Sequence, residues 1–455
     1  MANSRKPQHA EVNASVLQSL HRHVRAGSRV CVGLSGGLDS VVLLSSLHAL
    51  RHQAGIRLSA VHVNHQLHPE ALQWERFCQE YCDRLEVACV VERVSLRPGD
   101  GVEAAARAAR YGVFARQAAD VIALAHHQED QAETVLIQLL RGAGVYGLSA
   151  MPEMRDSVLS GQDFRLWRPF LQLSRATLRD YAAVQGLSWV EDVSNGDTRY
   201  VRNFLRHEVA PLLAQRFPAW ATTLGRSARH LGEAATLLDQ LAEMDFPSCN
   251  ASPGLRVQAV LGLGMPRAVN LLRWWLRSRQ APALSQKRME NWMRQAQAMP
   301  DRNPQLSWGG WTMTRFEGCW HVHPEVRADW QEQRFEAWPQ GVVLAIPGAG
   351  QLCQQVTQGA GLSATLLEQG NVVLRRRCGG ERLKPHEAGS TRSLRNLLQE
   401  ARLPLWWREA LPLVFCNDRL VCVPGVAVDV AAQAQPGQTG VALHWDPFAS
   451  DGAHH

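Results

Sequence analysis

The sequence predicts an α/β fold: a parallel-sheet N-terminal domain, a helical middle domain and a small α+β C-terminal domain. Three observations predict it. Strand-like and helix-like runs alternate over residues 29–126, which implies βαβ units and a parallel sheet. Helical periodicity dominates from about 128 to 245. The last segment, 371–440, is short, basic and mixed in pattern.

The first strand, Arg29–Leu34, carries the apolar run Val30, Cys31, Val32 and leads into Val-Gly-Leu-Ser-Gly-Gly-Leu-Asp-Ser, Val32 to Ser40. A helix follows over Asp39–Arg51. A strand, a glycine turn and a helix N-terminus make an anion cradle, because backbone N–H groups approach oxygen closely and the helix dipole favours negative charge. Gly36, Gly37 and Leu38 supply backbone donors, and Ser35 and Ser40 supply hydroxyls. Asp39 is a carboxylate suited to Mg²⁺ beside phosphate. The turn contains no lysine, so it is not a Walker A loop.

Further strands are predicted at Leu58–Val63, Ala88–Val94 and Val121–Ala125, with helices at Pro69–Leu85 and Val102–Ala118. Ligands of parallel sheets bind at the carboxyl ends of strands. Three segments fall there: Ser35–Ser40, His62–His68 and Ala125–Asp130. If the third continues as a helix from Glu129, then Asp130, Glu133, Thr134, Ile137 and Arg141 share one face. Two carboxylates there suit ammonium groups, and Arg141 suits a carboxylate or phosphate. A solvated face with i,i+4 pairing is the alternative. His126 and His127 lack the cysteine or Glu-x-x-His partners of a catalytic zinc site.

Beyond this, Ser174 caps a helix at Arg175–Gln185, and Asn203–Gln215 and Ala221–Glu243 follow, punctuated by Gly186, a Ser194–Asn195–Gly196 turn and Pro218. Residues 246–264 read as a loop, Pro266–Arg279 and Ser285–Ala298 as helices, and Trp308–Val322 as a strand pair. The expected domains are 25–220 (catalytic), 221–330 (mainly helical) and 371–440 (basic, C-terminal), with 331–370 as linker.

A chain of 455 residues accommodates about three such domains. It contains no run of 18 apolar residues, and Met1–Ala14 lacks the apolar stretch of a secretory signal, so neither membrane nor export is expected. Ten cysteines without a CxxC read as reduced thiols of a cytoplasmic protein. The net charge of +6 is concentrated: residues 165–230 carry ten basic and five acidic groups, and 371–410 nine and four. Nearly all the cations are arginine, with only Lys6, Lys287 and Lys384 as lysines. Clustering of this kind points to a nucleic-acid partner held through phosphates. Trp189, Trp406 and Trp407 could stack on bases, but core packing is the favoured role for the paired tryptophans.

The pattern Ser35-Gly36-Gly37-x-Asp39-Ser40 resembles the pyrophosphate loop of ATP pyrophosphatases, which transfer AMP to a substrate oxygen. Together with His62-Val63-Asn64-His65, the Ala125–Thr134 helix and Arg141-Gly142-Ala143-Gly144, it resembles the tRNA(Ile)-lysidine synthase family. Segments 103–111, 147–151, 168–170, 189–195, 202–206, 375–380 and 403–408 extend the likeness. Two positions depart from the family pattern: Glu129 stands where the first aspartate of the helix motif is usual, and Gln66 where glycine is common.

The resemblance implies a Rossmann-like (adenine nucleotide α hydrolase-like) sheet. It implies a cytoplasmic enzyme that uses ATP and Mg²⁺ to join L-lysine to the wobble cytidine of tRNA(Ile) with a CAU anticodon, through an adenylated cytidine. Ser35–Ser40, His65, Arg107 and Arg141 would bind ATP and pyrophosphate, with Mg²⁺ on Asp39. Asp130 and Glu133 would be catalytic and, with Arg110, bind lysine. Arg202, Arg206, Arg375, Arg377, Arg395 and Arg408 would contact tRNA. The family implies a monomer or homodimer. A tRNA cytidine thiolase is disfavoured by the missing CxxC, and a small-molecule amidating ligase leaves the basic 371–410 segment unexplained. A catalytically dead RNA-binding module is disfavoured by the intact loop and carboxylate pair.

Overall fold

The computed structural model describes residues 8–95, 102–159, 162–192, 196–298, 304–325, 330–339, 341–347 and 349–447. Ser194 and Asn195 of the expected turn, and His454 and His455, lie outside the described residues. The chain divides into two compact units, 1–237 and 238–455.

In the first unit the order is α1 (Gln8–His23), β1 (Arg29–Gly33), α2 (Leu38–Leu50), β2 (Arg57–Asn64), α3 (Ala71–Arg84), β3 (Ala88–Arg93), α4 (Val102–Ala115), β4 (Val121–Ala123), α5 (Gln128–Leu140), α6 (Val145–Leu148), β5 (Met154–Leu159), β6 (Gln162–Trp167) and α7 (Arg175–Val184). The strands order as β3-β2-β1-β4-β6-β5, all parallel except the antiparallel edge strand β5. Successive β1 side chains enter opposite faces, as strand geometry requires. Val30 and Val32 pack with Val16 of α1, Leu43 of α2, Tyr81 of α3 and Tyr181 of α7, while Cys31 packs with Phe114 of α4. Burial on both faces explains the unbroken apolar run. The chain passes from β1 outward through β2 to β3 and resumes on the other side at β4, so the switch point lies between β1 and β4. Ligand crevices form at such points.

The region after α5 is not wholly helical as expected. The β5–β6 hairpin joins the sheet, with Val121 of β4 in register with Arg165 of β6. The helix expected at Asn203–Gln215 is broken into α8 (Val201–Phe204), a π turn (Leu205–Val209) and α9 (Ala210–Arg216). A 30-residue helix, α10, spans Trp220–Cys249.

In the second unit, helices Met265–Ser278 and Gln286–Ala298 bury Leu271, Trp275, Trp292 and Met293 against Met313 and Trp320 of a five-stranded sheet. The loop expected at 246–264 instead holds strands Asn250–Ala251 and Gly254–Arg256 and a helix at Val257–Gly262. The linker expected at 331–370 is also corrected. Its strand Gly350–Gln358 pairs antiparallel along Thr439–Asp446. Its residues Trp338, Leu352, Leu362 and Leu367 share one core with Leu374, Val414 and Val441. The last domain therefore begins near Trp330. Among the described residues no helix is long and apolar enough to cross a membrane.

Candidate active site

The glycine turn between β1 and α2 is held by its own serines. Ser40 Oγ accepts from the Ser35 backbone N–H at 3.2 Å and donates to the Gly37 carbonyl at 3.0 Å. Gly36 sits at φ +86°, and a Cβ there would lie 2.9 Å from Val190 Cγ2. The Val190 backbone N–H donates to the Gly36 carbonyl at 3.0 Å, so the segment after α7 clamps the turn. Gly37 is the N-cap of α2 and brings no side chain to cap it. The first-turn N–H groups of such a helix are left for an anion.

The end of β2 is organised by its own motif. Burial lowers the His62 pKa, so the ring is neutral, and its Nδ1 bonds the Leu34 carbonyl just before the turn at 2.9 Å. Asn64 fixes the loop that follows. Its Nδ2 donates to Glu75 Oε2 at 2.9 Å, and its Oδ1 accepts from the Gln66 backbone N–H at 2.8 Å. Arg93 hydrogen bonds hold the Glu75 carboxyl at about 2, keeping it an acceptor. Gln66 takes φ +56°, a left-handed conformation that suits glycine and accounts for the glycine usual there. A cavity of about 610 Å³ opens between these elements, lined by Ser35, Asp39, His65, Arg110, His126 and Tyr200 among others. Asp39 Oδ1, His65 Nδ1 and His126 Nδ1 are buried without a hydrogen-bond partner.

The third segment begins at His127, the N-cap of α5. Asp130 Oδ2 accepts from the His127 backbone N–H at 3.0 Å, closing a capping box. The buried His127 ring lies 3.0 Å from Glu129 Oε2, 3.4 Å from Asp130 Oδ2 and 3.8 Å from Asp39 Oδ2. Burial opposes its protonation, but the Glu129 hydrogen bond and the charges of Asp130 and Asp39 outweigh burial and raise its pKa. Glu129 Oε2 also accepts from the Arg175 backbone N–H, at the first position of α7, at 3.0 Å. The glutamate that replaces the usual aspartate thus ties His127 to a second helix. Two arginines cover the carboxylate pair. Arg206 bonds Glu133 Oε1 and Oε2 at 2.8 and 2.9 Å and Asp130 Oδ1 at 2.8 Å. Arg202 Nε bonds Glu133 Oε2 at 3.1 Å. Burial favours the neutral acid at Asp130, yet His127, His126, Arg202 and Arg206 outweigh it and hold the pKa well below the usual carboxylate range.

Most of the expected arginines are engaged by other groups of the protein. Arg202 and Arg206, expected on tRNA, are engaged with Glu133 and Asp130. Arg107 bonds the Tyr111 hydroxyl at 3.0 Å and stacks over its ring. Arg141 is the exposed C-cap of α5. Arg110 lines the cavity, where burial and neighbouring Arg107 lower its pKa. In the second unit Arg375 is paired with Glu332 at 3.0 Å and Asp418 at 2.5 Å. Arg377 and Arg395 approach Arg408 closely enough that, after burial, their like charges lower its pKa. Trp406 packs among Phe316, His321 and His323, and Trp189 packs against the first unit's core. Sequence reasoning missed the His127–Glu129 pair. It also missed the pairing of Arg202 and Arg206 with Glu133 and Asp130, for which the four-residue spacing of the arginines was the available signal.

The residues fit a divalent cation at Asp39. Its Oδ1 has no partner, and burial raises its pKa, a penalty that a bound cation removes.

A β-strand, a serine-locked glycine turn and an uncapped helix at the switch point define an ATP pyrophosphatase of the PP-loop class, and a PP-loop domain profile matches residues 8–213. Profiles for a TilS substrate binding domain and a TilS substrate C-terminal domain match residues 255–321 and 372–445. A tRNA(Ile)-lysidine synthase of Nitrosomonas europaea is 39% identical over 98% of both chains. One of Chromobacterium violaceum is 41% identical over 89% of this chain and 93% of its own. The chain belongs to the tRNA(Ile)-lysidine synthase family.

Proposed function

We propose that this enzyme joins L-lysine to C2 of the wobble cytidine in tRNA(Ile) with a CAU anticodon, cleaving ATP to AMP and pyrophosphate. The product reads AUA instead of AUG. The observation that carries this reading is the connection of the two half-sites. Asp39 of the pyrophosphate turn and Asp130 of the carboxylate pair face the same His127 ring, at 3.8 and 3.4 Å.

In the first step the cytosine O2 attacks the α-phosphorus of ATP, and the bond from that phosphorus to the bridging oxygen breaks. Charge develops on the departing pyrophosphate. The backbone N–H groups of Gly36 and Leu38 and the Ser35 hydroxyl would donate to that charge, while Ser40, which donates to the Gly37 carbonyl, holds the turn in shape. Asp39 would hold Mg²⁺, which supplies charge neutralisation at the phosphates. In the second step the neutral lysine ε-amine attacks C2. The C2–O2 bond breaks, and AMP leaves with that oxygen, its phosphate taking the proton that the amine sheds. Asp130 and Glu133 seat the amine. The depressed pKa makes Asp130 a weak proton acceptor and a good ammonium anchor. Arg110 in the cavity wall would take the lysine carboxylate or a phosphate. Arg377, Arg395 and Arg408 would position tRNA through phosphates.

The test is nucleoside mass spectrometry of CAU-anticodon tRNA(Ile) after incubation with enzyme, ATP and Mg²⁺, with and without L-lysine. We expect a lysine-dependent cytidine heavier by lysine less one water. Pyrophosphate release without that product would keep the adenylation step and overturn lysine as nucleophile.

A further inference from the structure

We propose that His68 and Trp74 form a stacking seat for a nucleobase in the cavity beside the pyrophosphate turn. The inference rests on the reading that this cavity performs nucleotide chemistry. The two rings are stacked, with centroids 4.9 Å apart and planes 16° from parallel, and both line the same cavity as Ser35 and Asp39.

The pair is built in advance of any ligand. Asn64 locks the turn at Gln66, and His68 Nδ1 accepts from the Glu70 backbone N–H at 3.2 Å. That bond fixes the imidazole plane at the start of α3, where Glu70 is the N-cap. Helix α3 anchors the indole on the same side: Phe77, Cys78, Tyr81 and Cys82 of α3 belong to the hydrophobic core, whereas Trp74 belongs to none of the core clusters. A tryptophan that stays partly open on a cavity wall is not there to fill the core. The wall continues with Leu67, 59% exposed, and Tyr200, 43% exposed. Flat aromatic and apolar surface beside a guanidinium, here Arg110, is the chemistry that receives an unstacked base and its phosphate. Two bases meet in this reaction, the adenine of ATP and the cytosine of the RNA, and both present the same π face.

The test uses the full chain with Trp74→Ala and Trp74→Phe. One arm measures the Kd of α,β-methylene-ATP with Mg²⁺ by calorimetry. The other measures the Kd of a CAU anticodon hairpin by anisotropy. Alanine is expected to weaken one of the two by roughly tenfold or more, and phenylalanine by less than about threefold. Loss in the first arm assigns the seat to adenine, and loss in the second to an RNA base. Should Trp74→Ala fail to fold, His68→Ala is read in the same two arms. Unchanged affinity in both arms, or equal loss with phenylalanine, overturns the seat. Wild-type chain that binds neither ligand would instead contradict the proposed function.

Discussion

Arg206 lies across Glu133 in a two-point contact: Nε is 2.8 Å from Oε1, and Nη2 is 2.9 Å from Oε2. Glu133 is almost wholly buried, so this guanidinium, with Arg202, is what keeps its charge compensated. The same carboxylates are proposed to seat an incoming ammonium group. Two protein cations therefore stand where the substrate cation acts.

Arg206→Met should leave Glu133 and Asp130 under-compensated. We expect a loss of roughly 2 kcal/mol, below the 3–5 typical of a fully buried pair, because Arg206 keeps 23% of its side chain exposed. L-lysine should raise the melting temperature of the variant more than that of the parent, by supplying the missing cation. Thermal unfolding with and without lysine checks this; an equal shift in both proteins would contradict it.

Gln66→Gly should not destabilise the protein. A non-glycine residue at φ +56° is strained by about 1–2 kcal/mol, and the added chain entropy of glycine offsets about 0.5–1 kcal/mol of the relief. A net gain of about 0.5 kcal/mol is expected in urea unfolding. A loss above about 1 kcal/mol would mean that the Gln66 side chain matters more than its backbone.

The raised pKa of His127 makes its contribution depend on pH in a definite direction. Protonation is favoured in the folded state, so the stabilisation is complete below 6.5 and fades as pH climbs through the raised folded value. The stability gap between the parent and His127→Asn, measured by urea unfolding from pH 6 to 9, should narrow. A constant or widening gap would contradict the ion-pair account of this residue. The depressed pKa of Asp130 acts at the other end: its contribution holds above 3.8 and is lost as pH falls through the folded value.

Replacing Arg377, Arg395 and Arg408 together by glutamine should weaken tRNA binding and flatten its dependence on salt. The slope of log K against log salt should fall by about 2–3 if each arginine meets one phosphate. Arg375→Gln should leave the slope nearly unchanged, since Glu332 and Asp418 already compensate that charge. The reverse ranking would place the RNA surface elsewhere.

The alternation of β1 to β4 with their helices was legible because each element announces itself locally, through an apolar run or a helical stripe. The glycine turn and the Asp130–Glu133 face were legible for the same reason. The β5–β6 hairpin was not. Met154–Leu159 reads Met-Arg-Asp-Ser-Val-Leu, which has little strand character until Leu166 pairs with Ile122 of β4 and enters the core. Gly350–Gln358 was missed likewise, since its strand depends on Thr439–Asp446, about ninety positions away. The sequence places Arg202 and Arg206 among the tRNA contacts, because it records their charge and not their partners. Their contacts with α5 are made from α8 and from the π turn at Leu205–Val209, which carry Arg202 and Arg206 respectively.

In the proposed reaction adenylation belongs to the pyrophosphate turn and lysine capture to the carboxylate pair. Single-turnover assays on Glu133→Gln, following pyrophosphate release and lysidine formation in the same reaction, test it most directly. We expect a first-turnover pyrophosphate burst within about tenfold of the parent, with lysidine formation reduced by roughly 10²-fold or more. Equal loss of both products, or normal lysidine formation, would contradict it.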